Sequence, residues 1–314
     1  MRRKIGVIGT VIKDRIHSAS GEITDALGGV LYTILPLRAF LPEDFEIVPI
    51  LRVGRDLHTE IMEIFENLPN VSTVNTIRDE SENNRVDLYY HSEGERTEVS
   101  TAGVSPTSYE EIQGLDELDH LIVNFISGWE ISLSTMERLA GSFHARIFSD
   151  IHSLLLGRRE DGGRYPRKPP GWEQWLKNFH YVQMNVSEAR TSTGVEIAGE
   201  GDELINSLTR ASSLIHQHGP GIVAITLGAL GAFLTWVKPD GRRAQQFRNG
   251  YEVDRTVDPT GSGDVFLASF ASASLLGEGC CEALSFAVKA AALSTTTKGA
   301  SGLYEYFRES GLKP

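Results

Sequence analysis

Cysteine is almost missing from this 314-residue chain: it has two, Cys280 and Cys281, side by side. Neighbouring cysteines make a strained disulfide and a poor zinc site. Both are therefore expected as free, reduced, buried thiols in a helical stretch, which points to a reducing, cytoplasmic compartment. No apolar run approaches the roughly 18 residues that a membrane-spanning helix needs. The start, Met1-Arg2-Arg3-Lys4 followed by apolar residues 5–12, superficially has the form of a signal peptide. Its apolar run is short, is broken by Lys13-Asp14 and has no small-residue cleavage site behind it, so a first buried strand is expected instead. Positive charge is also in deficit. A net charge of −12 argues against nucleic acid or an anionic membrane as the main partner. A nucleotide would have to be held by local features: glycine N–H groups, a helix end, a metal and a few basic side chains. Basic clusters do occur, at Arg158, Arg159, Arg164, Arg167 and Lys168, and again at Lys238, Arg242, Arg243 and Arg248.

Several catalytic signatures are absent too. There is no Gly-x-x-x-x-Gly-Lys-Ser/Thr string, which argues against a P-loop NTPase. Gly6-Val7-Ile8-Gly9 is too sparse for a dinucleotide fingerprint, and this leaves a Rossmann dehydrogenase a weak reading. The His-Glu-x-x-His, Gly-x-Ser-x-Gly and paired Cys-x-x-Cys motifs do not occur.

What is present is a regular alternation. Short apolar runs at 5–12, 46–53, 121–126, 146–149, 181–184 and 222–227 are separated by amphipathic stretches at 57–68, 132–139, 172–178 and 202–218. Strands apolar throughout, alternating with helices, predict a parallel sheet covered on both faces. No repeat, low-complexity tract or long linker interrupts the pattern, so residues 1–314 are expected to form one domain. Two segments break the rhythm, about 13–28 and 85–101. The first is polar around Gly21; the second alternates like a hairpin about Ser92-Glu93-Gly94-Glu95. Together they predict a small antiparallel lid over the carboxyl ends of the strands, where ligands of open α/β sheets sit.

The most informative segment is Thr256-Val257-Asp258-Pro259-Thr260-Gly261-Ser262-Gly263-Asp264, followed by an apolar, small-residue helix at 265–276. Glycines let the backbone approach a ligand with its N–H groups outward, and a helix beginning behind them favours phosphate. Asp264, in the first turn, can take a proton from a substrate hydroxyl; cradle plus base is the minimum for moving a phosphoryl group onto an alcohol. Taken alone, the string also suits an ordinary loop with a dipole-partnering acid. Other strand ends carry Thr226, Gly228 and Gly231, then Asn185 with Glu188 three residues on, then Gly54-Arg55-Asp56, then Asp14 with Gly28-Gly29. Each has a bland counterpart, since Asn185 with Glu188 alone is a common capping pattern. His216 and His218 are expected at the surface, and Trp172 and Trp175 in helix packing.

In order and content these motifs resemble the ribokinase-like, PfkB-type carbohydrate kinase family across essentially the whole chain. The family's C-terminal signature, Asp-Thr/Pro-Thr-Gly-Ala-Gly-Asp, matches 258–264 except for Ser262 in the alanine position. The resemblance implies a three-layer α/β/α fold with a mostly parallel sheet and a small antiparallel β lid. It implies Asp264 as catalytic base and Gly261, Ser262 and Gly263 as anion hole. Asn185 and Glu188 would hold Mg²⁺ through water. Thr226, Gly228 and Gly231 would form the ATP loop, with Lys298 and Gly299 bordering the adenine. Asp258 and Thr260 match positions that bind a monovalent cation, K⁺, in several relatives. Asp14, Gly28, Gly29 and Asp56 match sugar-hydroxyl positions, and Asp150 stands where relatives carry Asp-x-Asn-x-Arg.

Departures cluster at the substrate end. Thr33 stands where the N-terminal signature usually has Asn, Thr59 where relatives often have Gly, and Leu35-Pro36 is expected to end the following helix early. The basic, Gly- and Pro-containing stretch 158–168 reads either as a mobile loop neutralising a substrate phosphate or as a solvated or nucleotide-gripping loop. The expected function is ATP-dependent transfer of a γ-phosphoryl group to a hydroxyl of a sugar or related polyol. The alternatives are a nucleoside kinase or a non-catalytic sugar or nucleotide sensor on the same scaffold. A lid with open strand edges further predicts a homodimer through the lid.

Overall fold

The computed structural model describes residues 2–17, 21–90, 96–101, 103–142 and 146–314. The turn expected at 92–95 and part of the 13–28 segment lie outside them. The chain opens with β1 (Arg3–Ile8), β2 (Val11–His17), β3 (Ile23–Gly29), α1 (Leu31–Phe40), β4 (Phe45–Gly54), α2 (His58–Glu66) and β5 (Asn75–Asp79). Next come β6 (Arg85–Tyr90), β7 (Arg96–Thr101), β8 (His120–Asn124), α3 (Leu133–Ser142), β9 (Ile147–Asp150), β10 (Leu156–Arg158) and β11 (Arg164–Pro166). The remainder is α4 (Trp172–Leu176), β12 (Tyr181–Asn185), α5 (Val186–Thr193), α6 (Gly201–His216), β13 (Ile222–Thr226), β14 (Gly231–Val237), β15 (Arg243–Asn249), α7 (Ser262–Leu275), α8 (Cys280–Ser294) and α9 (Leu303–Glu309).

One nine-stranded sheet runs β15-β14-β13-β12-β9-β8-β1-β4-β5. The strands from β13 to β5 pair in parallel, and β14 and β15 finish one end antiparallel. Helices cover both faces: α1, α2, α7, α8 and α9 pack into one apolar cluster, and α3 to α6 into the other. This is the three-layer α/β/α arrangement. Residues 5–12, expected as one strand, divide: β1 stays in the main sheet and β2 turns off into the lid.

The lid is a four-stranded sheet, β3-β2-β6-β7. Its two antiparallel hairpins join through a parallel β2–β6 pair. The 158–168 stretch forms a short hairpin, β10–β11, docked on β7. The Ser100 N–H donates to the Gly162 carbonyl at 3.0 Å, and Val99 bridges Gly163. That hairpin covers one lid edge from within the chain.

Pro36 does not end α1, which continues to Phe40. One helix hydrogen bond is lost at Pro36, but the helix from Leu31 to Leu37 is buried on every side and packing decides. His216 is likewise inside rather than at the surface. Its ring meets the Pro220 carbonyl at 2.7 Å and the Thr235 hydroxyl at 2.8 Å, and burial lowers its pKa. Trp172 and Trp175 pack inside as expected; Cys280 and Cys281 are free but only half-buried. Among the described residues no helix is long and apolar enough to cross a membrane.

The helix that positions the site is α7, with every residue from Val265 to Ala273 buried. Such a helix has no solvent face, so its small residues let α1 and α8 approach closely. Its buried hydroxyls are satisfied internally, Ser269 on the Val265 carbonyl at 2.6 Å and Ser272 on that of Ala268 at 2.8 Å. Phe270, fully buried, stacks on Tyr181 of the sheet with ring centres 4.5 Å apart. Phe270→Ala is expected to destabilise the fold by about 3–5 kcal/mol through the cavity it opens. Guanidinium denaturation checks this, and a loss below about 1 kcal/mol would show that α7 is not the packing axis described.

Candidate active site

The carboxyl ends of β8, β9, β12 and β13 and the N-terminus of α7 meet under the lid. Gly261 starts the helix with φ 74°, a left-handed backbone that a side chain resists, and a Cβ there would drive into the Tyr32 ring. Only glycine lets this loop pass under Tyr32.

Asp264 follows in the first turn. The Asn124 amide, at the end of β8, donates to Asp264 Oδ1 at 2.7 Å and to Thr33 Oγ1 at 2.8 Å. Thr33 thus steadies Asn124 from behind and takes no place in the cavity lining. Asn124 Oδ1 is buried without a partner among the described residues. Burial raises the pKa of Asp264, the Asn124 hydrogen bond and the His152 charge oppose that, and the net value is about 6. The carboxyl group is therefore far from an ordinary surface aspartate, although still mostly charged at neutral pH.

Asp150, at the end of β9, accepts the His152 N–H at 2.9 Å and the Gln183 amide at 2.6 Å. Burial, then the charges of Glu188 and Asp264, push its pKa well up. Gln183 also donates to the Gly263 carbonyl at 2.7 Å, so one buried amide ties Asp150 to the glycine loop. Asn185 and Glu188 form a capping box at the start of α5: Asn185 Oδ1 accepts the Glu188 N–H at 3.0 Å, and Glu188 Oε2 accepts the Asn185 N–H at 2.7 Å. Glu188 also pairs with the His152 ring. Burial works against a charged His152, but the Glu188 carboxylate outweighs it and raises the ring to about 9. The ring is 42% exposed, so solvent screens part of that attraction.

Two cavities share this floor. One, of about 360 Å³ beneath the lid, is lined by Asp14, Gly29, Asp150, Asn185, Glu188 and Asp264, among others. The second, of about 490 Å³, is walled by Tyr251, Val253, Phe266, Val288, Ala291 and Ala292, among others. Thr226, Gly228, Pro259, Ser262 and Gly263 line both. Gly231 lines the second; it needs its left-handed φ of 111° because a Cβ would strike the Arg248 carbonyl across the β14–β15 pair.

Other expected site residues lie elsewhere. Asp56 lines neither cavity; it accepts the Asn83 N–H at 2.7 Å and lies 3.5 Å from Arg85. Gly28 sits beside the first cavity, where a Cβ would press on the Asp14 carboxylate and Tyr32. Lys298 and Gly299 stand outside both linings. The Gly299 N–H donates to Asp258 at 3.3 Å, and the same carboxylate accepts the Thr260 N–H at 2.9 Å. Asp258 thereby pins the signature loop to the loop after α8. The basic stretch does not lie over the cavity as a loose loop. Arg158 donates to the Ser100 carbonyl at 2.9 Å and Arg164 to the Ser127 carbonyl at 2.8 Å.

Asn124, Gln183 and His152 escaped sequence reasoning. The first two had a signal: each is a lone amide inside an apolar strand, Leu121-Ile122-Val123-Asn124 and Tyr181-Val182-Gln183-Met184. His152 had none beyond its place two residues after Asp150. The small apolar residues of α8 along the second cavity looked like core packing.

The profile of the pfkB family carbohydrate kinases matches residues 161–305. A ribokinase of Haemophilus influenzae is 34% identical over 128 residues, which cover 41% of this chain and 38% of that protein's length. Among solved structures, the ribokinase of Cryptococcus neoformans var. grubii serotype A in complex with ADP has a TM-score of 0.76 at 17% identity, covering 99% of this chain and 100% of that one. The nucleoside kinase of Burkholderia thailandensis in complex with inosine has a TM-score of 0.71 at 14% identity, covering 98% and 97%. Residues 161–305 thus carry the likeness to the pfkB family carbohydrate kinases, and the whole chain has the fold of the ribokinase-like structures.

Proposed function

We propose that this protein is an ATP-dependent phosphotransferase that moves the γ-phosphoryl group to a hydroxyl of a sugar or related polyol. The observation that carries this reading is the placing of Asp264. It lines the first cavity and directly follows Ser262 and Gly263, which line both. The acceptor occupies the cavity under the lid, where Asp14 and Asp150 take its hydroxyls. The nucleotide occupies the second, its base against Val288, Ala291 and Ala292.

The chemistry then follows from the residues. Asn124 fixes Asp264 Oδ1, so the other oxygen faces the attacking hydroxyl and removes its proton as the bond to phosphorus forms. The N–H groups of 261–263 and the positive end of α7 meet the charge of the transferring phosphoryl group. Both Glu188 oxygens already have partners, Oε2 the Asn185 N–H and Oε1 the Asn185 amide and the His152 ring, so this pair would meet Mg²⁺ through water rather than as direct ligands. No group of three or more His, Cys, Asp or Glu among the described residues forms a dedicated cage. That suits a hydrated ion delivered on the nucleotide, touching Asn185 and Glu188 through water and neutralising phosphate charge. Among the described residues Thr260 Oγ1 is buried without a partner, an oxygen that a monovalent cation beside Asp258 would use. Pairing of two lids would fall to the β3 edge, where Ile23 is 57% exposed, since β7 is covered by the β10–β11 hairpin.

A nucleoside acceptor is the second reading, favoured by the apolar lid residues Ile12, Val86 and Leu88 that line the acceptor cavity. A sensor without turnover would bind ligands yet release no ADP.

Asp264→Asn is expected to lower ADP release about 10²–10⁴-fold, the usual contribution of a general base. Full turnover in that variant would remove Asp264 from the role. Because the folded pKa of Asp264 is raised, its ionisation opposes folding as pH rises through the interval from 3.8 to about 6, and the cost persists above it. The same variant should therefore melt no lower than the parent at neutral pH. The pH profile follows from the same shift: the base is lost on protonation, so kcat/KM should fall as pH drops through about 6. Asn124→Leu removes the hydrogen bond that holds this pKa down, so the acid limb should move to higher pH and kcat fall roughly ten- to a hundredfold. An unmoved limb would show that Asn124 does not hold the base.

A further inference from the structure

We infer that Gln183 is a positioning residue for phosphoryl transfer: its amide holds the Gly263 carbonyl and so aims the peptide N–H of Asp264 into the anion hole. This role presupposes the phosphotransferase reading above.

Gln183 is buried in β12, in register with Asp150 of the neighbouring strand. Its bonding leaves it little freedom. Nε2 donates to Asp150 Oδ2 at 2.6 Å and to the Gly263 carbonyl at 2.7 Å, and Oε1 accepts the Tyr181 hydroxyl at 3.2 Å. A backbone carbonyl can only accept, so the nitrogen end of the amide has to face Gly263. Tyr181, two residues earlier on the same face of the strand, closes the other end. Its ring is fixed in turn by the stack on Phe270 of α7. Gln183 lines the cavity beneath the lid, but both of its N–H donors are committed inside the protein. It therefore acts through its neighbours and not on a ligand.

What it acts on is one peptide plane. The Gly263 C=O and the Asp264 N–H belong to the same rigid unit, so fixing the carbonyl fixes the direction of the N–H. The helical ladder of α7 starts with Val265, whose N–H donates to the Gly261 carbonyl at 2.9 Å. The Ser262 N–H turns back to the Pro259 carbonyl at 3.3 Å. The N–H groups of Gly263 and Asp264 have no partner among the described residues, as expected of the first turn of a helix. Such a donor stabilises developing charge only while it stays aimed at the place where that charge appears. Packing does not hold this peptide: a Cβ on Gly263 would lie 3.8 Å from Gln183 Nε2 and 3.9 Å from Asp150 Oδ2, ordinary contact distances. The hydrogen bond from Gln183 is what orients it.

The test is steady-state ADP release by the intact protein. Ribose, myo-inositol and inosine serve as acceptors, and the one that the parent uses best is kept for the variants. Gln183→Met preserves the length of the side chain and removes both donors. Its kcat should fall about tenfold to a hundredfold, short of the loss of an anion-hole donor outright. The KM for MgATP should stay within about threefold of the parent, because an aimed donor matters chiefly in the transition state. Should Gln183→Met not fold, Gln183→Asn, one methylene too short to span Asp150 and Gly263, is read in the same way. A kcat within about twofold of the parent, with only the melting temperature lowered, overturns the inference and leaves the phosphotransferase reading standing. So does a raised KM for MgATP at unchanged kcat, the mark of ground-state binding. No ADP release by the parent with any of these acceptors, while nucleotide still raises its melting temperature, overturns both.

Discussion

Asp264 carries a carboxyl group into a buried pocket, and the groups around it decide whether it keeps its charge there. A carboxylate cannot be left in a low-dielectric pocket without partners; it would simply take up a proton. Here the compensation comes from the start of α7, the Asn124 amide and the His152 charge. The strength of that compensation is set by the fold. A helix buried on every side can begin only where the sheet opens, at the carboxyl ends of its strands, and this brings the helix terminus to the acids and amides of β8, β9 and β12. Packing and chemistry meet in the same turn of helix.

The arrangement leaves the site close to its limit of tolerable negative charge. Burial, with the charges of Glu188 and Asp264 added, pushes the Asp150 carboxyl well above the usual carboxylate range, and Gln183 donates to both it and the Gly263 carbonyl. A change in charge at Asp150 would therefore reach the glycine loop at the start of α7. Glu188 is tied in the same way, through its cap to Asn185 and through its pair with His152. These are positioning contacts between groups on separate strands, and they make the floor of the two cavities one rigid network.

The sequence made the sheet legible because fully buried parallel strands read as uninterrupted apolar runs, and the order of motifs at their ends carried the family resemblance and the signature loop. Short edge elements were lost. β5 (Asn75–Asp79) is mostly polar, and β10 and β11 span three residues each, below the length at which periodicity can be seen. Pro36 misled because its local cost is real but smaller than the packing of the helix around it. His216 misled because a histidine near a helix end is usually wet, whereas this one is bonded at both nitrogens. Asp56 matched its motif by position, but the backbone N–H of Asn83 had already taken its carboxylate. Asn124 and Gln183 could have been found: a lone amide in a run of core residues needs a partner, and the partner here is the site. The supporting shell was harder to read than the loop, because its contacts join residues far apart in the chain.

The parallel pairing of β2 with β6 has a consequence for how the molecule assembles. The partners Lys13 and Arg85 are joined by a crossover that contains α1, β4, α2 and β5. That loop must be closed before the pairing yields any stabilisation, and its entropy is largest while the intervening chain is disordered. Folding of β1, β4 and β5 shortens the effective loop, and only then does the lid become a sheet rather than two separate hairpins. A nascent chain that has emerged through β5 can hold the sheet's edge, but the cavity beneath the lid lacks Val86 and Leu88 until β6 arrives. The cavity beneath the lid is thus completed by a late, long-range strand pairing far from the glycine loop in sequence.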